Sequence, residues 1–81
     1  MKEYIILFKN ILPELISASS PKEALKFLAI DDLMIKDNDW ENIYNKKSII
    51  ETMNLLNETL EEENKICAIY RLNGFRALAD L

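Results

Sequence analysis

With 81 residues, 49% of them hydrophobic and 30% charged, the chain has the balance of one globular domain, residues 1–81, near the lower size limit for a core without disulfides or metal. Its 14 acidic and 10 basic side chains give a net charge of −4, and it has no histidine, one glycine and one cysteine. These counts argue against histidine general-base chemistry, a Gly-rich phosphate loop, a disulfide, a thiol-held metal and the clustered Lys and Arg of a nucleic-acid footprint.

An enzyme, a cofactor and a metal site are therefore not expected, and direct binding to DNA or RNA is disfavoured. Residues 2 to 18 carry Tyr4, Phe8, Ile11, Leu12, Leu15 and Ile16 at spacings that fit a helix, and Pro13 predicts a kink near residues 9 to 13. The apolar run Tyr4 to Phe8 is too short to span a bilayer and lacks the cleavage site of a signal peptide. A cytoplasmic protein with no membrane partner is expected, and the lone Cys67 agrees with a reducing compartment.

Ser20, Pro21, Lys22 and Glu23 spell a helix start, in which Ser20 caps, Pro21 suits the first position and Glu23 reaches back to the cap amide. This helix carries Ala24, Leu25, Phe27 and Leu28 towards Ile35, with Asp31 and Asp32 predicting a break near residue 30. Asn38 to Glu41 is a second capping box ahead of Trp40, Ile43 and Tyr44, and Trp40, the largest apolar side chain, is the expected core anchor. Asp37 to Glu41 also begins like a calcium loop. Asn42 then falls where Gly makes the turn and Ser48 where a bidentate Glu belongs, so the run reads as a helix-capping cluster.

Ser48 to Glu51 is a third capping box, and it opens Ser48 to Asn73, a stretch without Gly or Pro. Ile49, Met53, Leu56, Leu60 and Cys67 form one stripe, with Glu51, Asn54, Glu58, Glu61, Glu62 and Lys65 opposite. A long helix is expected here, capped by Gly74, with Leu55, Ile66 and Ile69 as a second apolar seam. The rival is a hairpin around Asn73 and Gly74, which sets Arg71 across from Arg76 and puts Ala68, Ala77 and Ala79 in strands. The expected fold is all-α, a small bundle of four to five short helices with one longer helix in the C-terminal half.

Asp31, Asp32, Asp37, Asp39 and Glu41 form one acidic segment, and Glu58, Glu61, Glu62 and Glu63 form another. They read either as solvated faces or as a partner-binding surface that steers a basic partner or imitates a line of phosphates. Thr59 to Asn64, with Glu63 at its fifth position, resembles the inhibitory helix of antitoxins that block Fic-type AMP transferases, and the resemblance makes Glu63 the inhibitory residue. The expectation is a small, acidic, non-enzymatic protein-binding module that inhibits another protein, of the phage-encoded inhibitor, immunity-protein or antitoxin type. Its alternatives are an assembly subunit that homodimerises through Leu55, Ile66 and Ile69, and a helix-turn-helix regulator, which is disfavoured because no candidate recognition helix is basic.

Overall fold

Tyr4, Ile6 and Phe8 lie two residues apart, and the Tyr4 to Phe8 interval of four belongs to the period of a strand as much as to that of a helix. In the computed structural model, which describes residues 1–81, Lys2–Phe8 is a strand, β1. Its unbroken run of Tyr, Ile, Ile, Leu and Phe has the aromatic and β-branched character of a central strand with apolar side chains on both faces. A turn containing Pro13 leads to β2 (Glu14–Ala18), antiparallel to β1, with Ile5 opposite Leu15 and Tyr4 opposite Ile16.

Three helices follow. In α1 (Pro21–Asp31) the Ser20 hydroxyl accepts from the Glu23 amide at 3.1 Å, and the Glu23 carboxylate accepts from Ser19 N at 3.0 Å, one residue before the expected amide. α2 (Asp37–Asp39) starts after Lys36 with no side-chain cap, in place of the Asn38 box, and runs into a π-helical turn at Trp40–Tyr44. α3 (Ile49–Asn57) carries the reciprocal box as read, with Ser48 N donating to Glu51 at 3.1 Å and Glu51 N to Ser48 Oγ at 3.2 Å. The wide π turn closes by Asn45 N donating to Trp40 O at 2.7 Å and sets the Trp40 and Tyr44 rings parallel, 5.5 Å apart. Lys22 secures the junction between that turn and α3. Its ammonium donates to Tyr44 O (2.6 Å), Lys47 O (2.8 Å) and Thr52 Oγ1 (2.8 Å) and sits over the Trp40 ring, and loss of water there pulls its pKa below the usual lysine value.

The second half corrects the all-α expectation: the molecule is a mixed α/β protein, a four-stranded antiparallel sheet with three helices. The helix from Ser48 ends at Asn57, whose side chain accepts from Ile66 N at 2.8 Å and donates to Ile66 O at 3.0 Å, as a neighbouring strand would. Strand β3 (Ile66–Arg71) starts at that clamp, and β4 (Arg76–Asp80) pairs back onto it. Thr59 to Lys65 holds turns and a short 3-10 helix at Glu62–Asn64, so the segment resembling an antitoxin helix is not one.

Arg71 does lie across from Arg76, on either side of a turn in which Gly74 takes φ +84° and Phe75 N donates to Leu72 O at 3.2 Å. Repulsion between two such side chains costs tenths of a kcal/mol to about 1, whereas burying Ile66 and Ile69 contributes about 1.5–3 kcal/mol each. Those isoleucines are 1% and 0% exposed inside the core, and Leu55 packs against it, so the Leu55, Ile66 and Ile69 seam is not a free surface.

The strand order is β2-β1-β3-β4, every pair antiparallel. β2 and β3 therefore run parallel with β1 between them, a split βαβ crossover that carries all three helices over one face. Under them Tyr4, Ile6, Ile69 and Ala79 of the sheet meet Leu25, Leu28, Trp40, Met53 and Leu56, all buried. The radius of gyration is 11.6 Å.

Candidate functional site

Alternation along each strand decides which residues meet the helices and which face away. Ile5 pairs with Leu15 on one side and Tyr70 on the other, and Tyr70 pairs with Ala77, so Leu15, Ile5, Tyr70 and Ala77 form one row across all four strands. Paired residues share a face, and this row lies opposite the one that holds Tyr4, Ile6 and Ile69. Leu7, in register with Ala68, lies beside it. Ile5, Leu7, Leu15 and Tyr70 belong neither to the core cluster nor to the side chains packed against it, and Leu15 is 63% exposed. The sheet thus carries a second apolar surface that no helix of the chain covers.

At the end of the sheet where the β1–β2 turn meets the end of α1, Phe8, Ile11, Leu12, Leu28, Leu33 and Leu60 line a cleft of about 240 Å³ together with Glu14, Asp32 and Asn64. Ile11 and Leu12 are exposed, and the turn that bears them is tied down by Lys9 N donating to Lys65 O and Asn10 N to Glu63 O, both at 2.9 Å. Glu14, Asp31 and Asp32 also border an adjoining depression with Phe27 and Leu15. The Glu14 carboxyl is held above the usual carboxylate range, first by partial loss of water and then by the neighbouring Asp32 and Asp31 carboxylates.

The acidic residues singled out in the sequence are not gathered into one surface. Asp32 joins Glu14 at the cleft, and Asp31 borders only the adjoining depression. Asp37 and Asp39 are exposed on α2, and Glu41 pairs with Lys26 at 3.4 Å. Glu58 and Glu62 line a different, mixed-charge concavity with Lys9 and Lys65, where the Lys9–Glu62 ion pair lowers the pKa of Glu62 and raises that of Lys9. Glu61 and Glu63 are exposed. Of the first acidic segment only Asp32 lines the apolar cleft, and no carboxylate of the second does.

Glu14, Ile5, Leu7, Leu15 and Tyr70 went unread in the sequence as site residues. Ile5 and Leu7 have one signal there, the unbroken apolar run Tyr4 to Phe8, which belongs to a strand with two greasy faces, and Glu14, Leu15 and Tyr70 lie outside it. No helix is long and apolar enough to cross a membrane. The chain matches no protein-family model, no curated protein and no solved structure.

Proposed function

We propose that this protein is a non-enzymatic binding module that acts by occupying the surface of another protein, an inhibitor in the manner of immunity proteins and antitoxins, and that the bare face of the sheet is the contact surface. The observation that carries the reading is the row Leu15, Ile5, Tyr70 and Ala77 with Leu7 beside it, apolar, outside the core and exposed (Leu15, Ala77) or half-buried (Ile5, Leu7, Tyr70) on the side away from the helices. An antiparallel sheet with one face in water ordinarily alternates apolar inward and polar outward; contiguous apolar patches on a small protein mark interaction sites. Tyr70 at the centre of the row brings an aromatic anchor of the kind that dominates interface energetics. A reducing, cytoplasmic setting suits the free, half-buried Cys67.

Affinity capture from the lysate of the source cell tests this. Wild-type protein is expected to retain one dominant protein that Leu15→Lys and Tyr70→Lys variants, folded by circular dichroism, do not. Identical captures with the wild type and both folded variants would remove the sheet face from the reading. A light-scattering mass of twice the chain, lost in Leu15→Lys, would show that a second copy covers the face.

A further inference from the structure

The cleft beside the β1–β2 turn pairs apolar walls with carboxylates that the chain leaves uncompensated. Neither it nor the adjoining depression is lined by any lysine or arginine, although Glu14, Asp31 and Asp32 stand there. The two ion pairs of the molecule, Lys9–Glu62 and Lys26–Glu41, lie elsewhere. Glu14 faces the helix side of β2, in register with Ile6, and is half-buried, so its charge is poorly served by water. Ile11 and Leu12, at the other part of the rim, are held in solvent, Leu12 at 87% exposure.

We propose that this cleft binds a segment of another protein in which one leucine- or phenylalanine-sized side chain is flanked by lysine or arginine. Charge complementarity selects the flanks: a cation at the rim offsets the mutual repulsion of Glu14 with Asp32 and Asp31. Size selects the centre. At about 240 Å³ the cleft is below the roughly 300–1,000 Å³ of pockets that enclose whole small molecules, and it suits a single inserted side chain. An apolar residue alone would leave the carboxylates unpaired, and a cation alone would leave the apolar walls in water. The cleft itself is lined by no residue of the open sheet face, whose Leu15 borders only the adjoining depression.

The test is a heteronuclear NMR titration of the full chain with the amidated peptide acetyl-Lys-Phe-Arg, compared with acetyl-Lys-Gly-Arg, acetyl-Glu-Phe-Glu and hexylammonium. Saturable shifts centred on Ile11, Leu33 and Leu60 are expected for acetyl-Lys-Phe-Arg alone. Asp32→Asn should weaken that binding about fivefold, as loss of a half-exposed ion pair does, and Leu12→Ser should weaken it also. Tyr70→Lys, on the sheet face, should leave it unchanged, which separates this site from the inhibitor reading. Three results would each overturn the proposal: no saturable shift at the cleft, equal binding of acetyl-Lys-Gly-Arg, which reduces the site to surface charge, or equal binding of hexylammonium, which assigns it to a small amine.

Discussion

Glu14 shows how a single side chain records the cost of its position. Its carboxyl stands at the first residue of β2, partly shielded from water and beside Asp32 and Asp31, and its pKa is raised above 4.5. The folded protein therefore holds that proton more tightly than the unfolded chain, so this group's contribution to stability is lost as pH rises from about 4.5 through the folded-state pKa. Glu14→Gln is accordingly expected to raise the urea midpoint at about pH 7 and to confer no gain at about pH 4. Equal midpoints at neutral pH would mean that the carboxylate is fully solvated. Lys22 carries the opposite balance. Burial lowers its pKa, yet its ammonium finds two carbonyls, a hydroxyl and the face of Trp40, so a desolvated charge becomes the pin that joins the π turn to α3. A lysine on the first turn of α1 gives no sequence sign of that role.

Among the elements, the starts of α1 and α3 were legible, whereas the start of α2 and the stop of α3 were not. Ser20 and Ser48 cap α1 and α3 because the hydroxyl, the exposed amide and a glutamate three residues on are all local, and such chemistry is complete within four or five residues of sequence. Asn57 ends α3 by bonding to both backbone groups of Ile66, nine residues away, and nothing within one turn of sequence announces it. Asn57→Ala leaves that half-buried donor and acceptor without their partner and is expected to cost about 1–3 kcal/mol in urea unfolding, with faster amide exchange at Ile66. An unchanged exchange rate at Ile66 would mean that β3 starts independently of the clamp. The hairpin of β3 and β4 carries the Arg71–Arg76 pairing, a cost of at most about 1 kcal/mol that the buried side chains of the same strand exceed. Ala68 and Ala79 stand in strands against alanine's low strand preference, which burial overrides, since both are buried.

For the whole molecule, the connection from β2 to β3 governs where function can reside. Crossing over one face with three helices, it buries Tyr4, Ile6 and Ile69 and leaves Ile5, Leu7, Leu15 and Tyr70 on the other. Because Leu15 is exposed and outside the core, Leu15→Lys is expected to change stability by no more than about 0.5 kcal/mol. A loss of several kcal/mol in the isolated chain would instead show that the face is already covered by a second copy. What the sequence by itself determined is the local chemistry: the acidic balance of charge, the caps at Ser20 and Ser48, the buried Trp40, and the apolar stripe of Met53 and Leu56 along α3. Only the tertiary structure decided that the apolar runs on either side of the helices are strands, that Ile66 and Ile69 lie inside, and that Glu14 meets Asp31 and Asp32. The physical reason is range: a cap is settled by atoms a few residues apart, whereas a run such as Tyr4 to Phe8 satisfies helix and strand alike until a distant partner, here β3, supplies the hydrogen bonds that choose between them.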